Sequence, residues 1–118
     1  MEIIKTSENL TNREIYALTM SPSNRKMKDA IAQQIGVYRW CMYKDFNGKD
    51  GTEQMILAIM TPEKEVFCTN SQTFMRDFER IWDIMQDDIA NGELLEIKVI
   101  VGESKSGREF VTCTLAEF

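Results

Sequence analysis

The 118-residue sequence contains no histidine. That absence excludes Ser-His-Asp and Cys-His nucleophilic machinery and every zinc site built from cysteine and histidine together. Cysteine is scarce as well: Cys41, Cys68 and Cys113 are the only three, and they lie far apart. No C-x-x-C pair exists, so neither a zinc ribbon nor a dithiol redox motif is written here. An odd number of scattered cysteines fits a reducing compartment, with each thiol serving as a small buried hydrophobe. No apolar run approaches the roughly 18 residues that a membrane-spanning helix needs. The opening Met1-Glu2-Ile3-Ile4-Lys5 lacks the basic and continuous apolar regions of a signal peptide. These absences together lead us to expect a soluble cytoplasmic protein with no membrane attachment.

What is present suits one packed domain spanning residues 1–118. The hydrophobic content is 43% and the charged content 28%, enough for a core without disulfides or metal. The net charge of −5 excludes a uniformly basic nucleic-acid coat, though not a local basic groove. The charge is uneven along the chain. Residues 1–59 carry 8 positive and 7 negative groups, whereas residues 60–118 carry 6 and 12. The first half is therefore comparatively basic.

Thr11-Asn12-Arg13-Glu14 is a capping box and predicts a short helix ending near Ser21-Pro22. The following segment, 21–29, holds Arg25, Lys26 and Lys28, the densest positive cluster in the chain and a candidate for phosphate contacts. From Gly36 the pattern becomes strand-like. Residues 37–46, 53–61 and 65–69 read as three strands of an antiparallel meander, with turns at Asn47-Gly48-Lys49-Asp50-Gly51 and Pro62-Glu63-Lys64. Phe74, Phe78, Ile81, Trp82, Met85 and Ile89 then form one apolar stripe of a helix, with Asn70, Ser71 and Thr73 as candidate N-caps and Asn91-Gly92 as its stop. Residues 94–101 and 108–115 are two further strands.

The expected fold class is mainly β with two helices. After the N-terminal helix, the order of three strands, a helix and two strands is that of an OB-like five-stranded antiparallel barrel. The alternative architecture is an open α+β sheet with the amphipathic helix on one face. Within residues 37–46, Tyr38, Trp40 and Met42 share one face, and Arg39, Cys41 and Tyr43 the other. If the Trp40 face is inside, Arg39 and Tyr43 lie outside together, suited to stacking a base while a guanidinium meets phosphate. Phe67 is assigned to the face opposite Val66 and Cys68. Arg108 and Phe110 share a face of the last strand, and Lys105 sits at the hairpin tip before it. The candidate nucleic-acid-binding set is therefore Arg39, Tyr43, Phe67, Lys105, Arg108 and Phe110, with Arg25, Lys26 and Lys28 as further phosphate contacts.

Residues 59–74, running through Phe67-Cys68-Thr69-Asn70-Ser71-Gln72-Thr73-Phe74, and residues 102–110, with Lys105-Ser106-Gly107-Arg108, carry a resemblance. They resemble the small single-stranded DNA-binding proteins encoded by phages and prophages of Gram-positive bacteria. The likeness covers about the last two-thirds of the chain. It implies an OB-like fold and protection of single-stranded DNA during phage replication or recombination, in the host cytoplasm, with no catalysis. There are departures. Gln72 stands where the family pattern has proline, and Pro62-Glu63-Lys64 replaces the more usual Asp-Gly turn. Only Glu117-Phe118 stands where related proteins carry a long acidic tail, which puts tail-mediated recruitment of replication proteins in doubt.

Two other functions compete. An acidic, phage-encoded module that binds and modulates a host protein would use Asp83, Asp87 and Asp88. Catalysis finds little support, because no spacing selects a carboxylate pair for acid–base or two-metal chemistry. Asp45, Asp50 and Glu53 surround one turn and either hold a cation or solvate a loop. We expect no enzyme activity, no catalytic residue, no cofactor and no metal. Eight methionines and a strand-rich surface permit a homodimer without specifying one.

Overall fold

The computed structural model describes residues 1–46 and 50–116. The chain is mainly β. Its order is β1 (Glu2–Thr6), α1 (Asn12–Thr19), β2 (Arg25–Lys26), a 3₁₀ turn (Met27–Ala30), β3 (Gln34–Val37), β4 (Arg39–Phe46), β5 (Glu53–Met60), β6 (Val66–Thr69), α2 (Gln72–Ile84), α3 (Gln86–Ala90), β7 (Leu95–Glu103) and β8 (Glu109–Leu115). The turn expected across Asn47-Gly48-Lys49 and the terminal Glu117-Phe118 lie outside the described residues.

Five strands form one sheet in the order β1-β4-β5-β6-β2, and three form a second in the order β3-β7-β8. The expected meander is β4-β5-β6, antiparallel throughout. The first sheet is mixed, because β2 joins the edge of β6 in parallel. The expectation of five strands in a barrel is corrected: the described strands make two sheets and close no barrel. Three strands escaped the sequence pattern for physical reasons. β1 is exposed along its whole length, so it carries no alternation. β2 has two residues. Only Val37 of β3 falls within the expected strand 37–46; the chain bends at Tyr38, and β3 pairs with β7 while β4 pairs with β5. That bend carries the chain from one sheet to the other.

Two apolar clusters cover the two faces of the five-stranded sheet. The larger joins Trp40, Met42, Leu57, Ile59 and Phe67 to Phe74, Met75 and Phe78 of α2, to Leu95, Ile97 and Val99 of β7, and to Met27 and Ala30 of the 3₁₀ turn. Trp40 meets Phe78 and Trp82 edge-on, at 5.4 and 5.5 Å between ring centroids. Such geometry sets the positive rim of one ring against the negative face of another. The smaller cluster lies on the opposite face, where Leu18 of α1 packs with Cys41, Tyr43, Ala58, Met60 and Val66.

The helices begin where their caps dictate. The Thr11 hydroxyl accepts from the Glu14 amide at 3.1 Å, and the Glu14 carboxylate accepts from the Thr11 amide at 2.9 Å. Ser71 caps α2 by accepting from the Phe74 amide at 3.2 Å, and its hydroxyl donates to the Val111 carbonyl at 2.7 Å. Gln72 is thus the first helical residue, a position where proline is tolerated because its missing N–H has no helical partner. The single helix expected through Ile89 breaks at Met85 into α2 and α3. Among the described residues, no helix is long and apolar enough to cross a membrane.

Candidate nucleic-acid interface

The sheets leave a seam between β6 and β8, and a hollow of about 760 Å³ opens there. Its lining comes from several places: Lys26, Met27 and Lys28 on one wall, Arg108 to Val111 on the other, and Gln54, Ile56, Cys68 and Thr69 to Ser71 between them. Ile56, Cys68 and Val111 are half-buried and form an apolar floor. Gln54 and Asn70 stand on the rim, where the Asn70 side-chain amide donates to the Gln54 side-chain oxygen Oε1 at 3.4 Å.

The walls owe their charge to local backbone architecture. Met27 is almost fully buried and pins the chain between Lys26 and Lys28, both exposed. Arg108 follows the β7–β8 turn, which Ser104 organises. The Ser104 amide donates to the Arg108 carbonyl at 2.9 Å, and the Ser104 hydroxyl accepts from the Arg108 amide at 3.2 Å. Gly107 takes φ +81°, a left-handed conformation that suits glycine. Phe110 lies against its cross-strand partner Gly102, where a Cβ would stand 2.5 Å from the ring. The missing side chain of Gly102 makes room for the ring beside the groove. Among the described residues, Lys26, Lys28 and Arg108 form no ion pair. Among the described lining residues, one carboxylate, Glu109, shares the groove with these three cations.

The expected surface is therefore reassembled. Arg108 and Phe110 come together with Lys26 and Lys28. Lys105 is exposed at the neighbouring hairpin tip, outside the lining itself. Tyr43, expected to face outward, is buried at 4% exposure because α1 packs over that face of the sheet. Burial pushes its phenol up to about 12. Phe67, also expected outside, is 3% exposed and belongs to the larger core cluster. Its register opposite Ile59, which itself opposes Trp40, places it on the Trp40 face.

Arg39 is engaged elsewhere. Its guanidinium stacks on Tyr38 at 4.1 Å, donates to the Tyr38 carbonyl at 3.0 Å and approaches Glu14 at 3.3 Å. Arg25 and Lys26 are successive strand residues and so take opposite sides. Arg25 pairs with Glu65 at 3.1 Å and lies over the Phe67 ring, away from the groove. The expectation of one continuous surface through Arg39, Tyr43, Phe67, Lys105, Arg108 and Phe110 is thus corrected.

Sequence reasoning missed Gln54, Ile56 and the Asn70–Gln54 contact. Only the pairing of strands brings residue 54 beside residue 70. Cys68 lies on the floor, and burial raises its thiol to about 11. Among the described residues, no three of His, Cys, Asp and Glu gather as a metal site. Asp50 accepts from the Thr52 amide and hydroxyl at 2.9 and 2.6 Å, which holds its carboxyl below the usual range. No protein-family model, curated protein or solved structure matches the chain.

Proposed function

We propose that the chain is a non-enzymatic, sequence-tolerant single-stranded DNA-binding protein, of the kind encoded by phages and prophages and acting in the host cytoplasm during DNA replication or recombination. One observation carries this reading: Lys26, Lys28 and Arg108 converge on an apolar-floored groove beside Phe110, on a protein whose net charge is −5. Cations along the walls suit a phosphate track. An aromatic ring and an apolar floor suit bases of any sequence, because every base has a π-face.

The strand path supports an OB-like ancestry. With β3 and β4 taken as one bent strand, hydrogen-bonded neighbours run β6-β5-β4/β3-β7-β8, and α2 falls between β6 and β7. That is the order of the OB barrel with its last seam left open. Here β2 occupies the β6 edge at the seam, which brings Lys26 and Lys28 to the groove.

The test is fluorescence anisotropy of a labelled oligothymidine at low and moderate salt. Label on the strand is preferable to intrinsic tryptophan, because neither Trp40 nor Trp82 lines the groove. Saturable binding should weaken with salt, with a log–log slope of about −2 for three phosphates on a single strand. The triple variant Lys26→Ala, Lys28→Ala, Arg108→Ala should lose most of that slope. Equal binding by the triple variant and the parent would refute the groove.

A second reading draws on one feature. Ile84 is 79% exposed at the end of α2, beside the exposed acids Asp83, Asp87 and Asp88. An exposed apolar side chain in an acidic stretch suits a basic protein partner. No strand binding at low salt, with a folded protein, would favour that module over the first.

A further inference from the structure

The β1 strand ends the five-stranded sheet, and its outer edge pairs with no described strand. All five of its residues are exposed, including Ile3 and Ile4. An edge of this kind offers a row of unpaired amides and carbonyls to another strand, and proteins ordinarily blunt it with charged side chains, proline or a β-bulge. β1 has no proline; its two charges, Glu2 and Lys5, are of opposite sign, and it carries one register irregularity, between Ile3 and Lys5. The sequence across the edge is Glu2-Ile3-Ile4-Lys5, which is charge-complementary to itself when reversed. In an antiparallel pair centred between residues 3 and 4, Glu2 of each chain faces Lys5 of the other, and the isoleucines meet at the centre.

Facing pairs must also share a side of the sheet, and the irregularity in β1 arranges this. The register against β4 shifts between Ile3 and Lys5, so Glu2 opposes Lys44 and Lys5 opposes Met42. Lys44 and Met42 are two residues apart on β4 and project from the same face. Glu2 and Lys5 therefore do too, although three positions separate them. Without the shift they would fall on opposite faces. Lys5 also reaches Glu79 of α2 at 3.2 Å, on an exposed surface where such a pair constrains it weakly.

We propose that β1 pairs antiparallel with β1 of a second copy of this chain, joining two five-stranded sheets into one. The interface is independent of the nucleic-acid groove. Sedimentation velocity over a concentration series tests it with Glu2→Lys, Lys5→Glu and their equimolar mixture. The parent should show a concentration-dependent dimer. Each variant alone sets like charges opposite each other twice, and its dimer should weaken about tenfold. The mixture restores both attractive pairs in the heterodimer and should recover the parent's association.

Each swap also carries a penalty inside its own chain. Glu2→Lys sets a new cation opposite Lys44, and Lys5→Glu sets a new carboxylate beside Glu79. These penalties are the same alone and mixed, so recovery on mixing reports the contact between chains. Melting curves check each fold, and Glu2→Gln with Lys5→Gln replace any charge swap that unfolds. These neutral changes should weaken the dimer about threefold each. A parent that stays monomeric at every concentration overturns the proposal. So does a dimer indifferent to both charges, or a failure of mixed folded variants to associate better than either alone.

Discussion

Phe110 and Tyr43 have the same sequence credentials and opposite fates. Each is an aromatic residue in a β-rich run near an arginine. Phe110 stays half-exposed because its strand lies at the seam, and it rests on Gly102 without burial in a core. Phe110→Ala should cost about 1–3 kcal/mol of oligothymidine binding, read by anisotropy, while the melting temperature moves little. Tyr43→Ala should do the reverse. It empties a buried site against Leu18 and should destabilise the fold by about 3 kcal/mol, read by denaturant titration, with groove binding intact in the folded fraction. The sequence could mark both rings as worth watching. It could not say which face of strand 37–46 would receive α1, because alternation identifies two faces without saying how many are covered.

Elements with local causes were readable in advance. The Thr11–Glu14 box needs four consecutive residues and no tertiary partner, and both its hydrogen bonds form as expected. It also has a pH signature. The Thr11 amide, chiefly, with the Thr11 hydroxyl and Arg39, holds the Glu14 carboxyl below its ordinary value of 4.5. A carboxyl with a lowered folded pKa adds stability in full above about pH 4.5 and loses it as pH falls through the lower folded value. Thr11→Ala loses the hydroxyl cap and should destabilise the protein by about 1 kcal/mol at pH 7, but it keeps the Thr11 amide that chiefly lowers the Glu14 carboxyl. Glu14→Gln removes the charge itself, so its stability deficit against the parent should shrink on acidification, as melting temperatures across pH 3–7 would register. Ser71 behaved similarly as a cap, but its second bond, to the Val111 carbonyl, ties residues 40 positions apart and was not legible. The break at Met85 also went unseen, since the apolar spacing continues across it to Ile89.

At the scale of the molecule, one buried methionine links core to groove. Met27 sits in the larger cluster while its neighbours Lys26 and Lys28 line the groove wall. Met27→Ala should cost about 2–5 kcal/mol of stability. It should also weaken strand binding beyond what the loss of either lysine's charge explains, because the wall itself is released. Denaturant titration and anisotropy on the same sample separate the two effects.

Residue chemistry and short-range spacing were enough to specify the β-rich class, the meander, the caps of α1 and α2, and the candidacy of Lys26, Lys28, Arg108 and Phe110. Each of these depends on alternation, helical period or neighbours within a few positions. Long-range packing settled the rest. It covered the second face of the sheet with α1, turned Phe67 inward, engaged Arg39 and Arg25 with nearby acids and rings, and brought residue 26 beside residue 108. Those outcomes depend on which surfaces meet once backbone hydrogen bonds are paired and apolar area is buried. Contacts between residues tens of positions apart leave no period in a linear sequence.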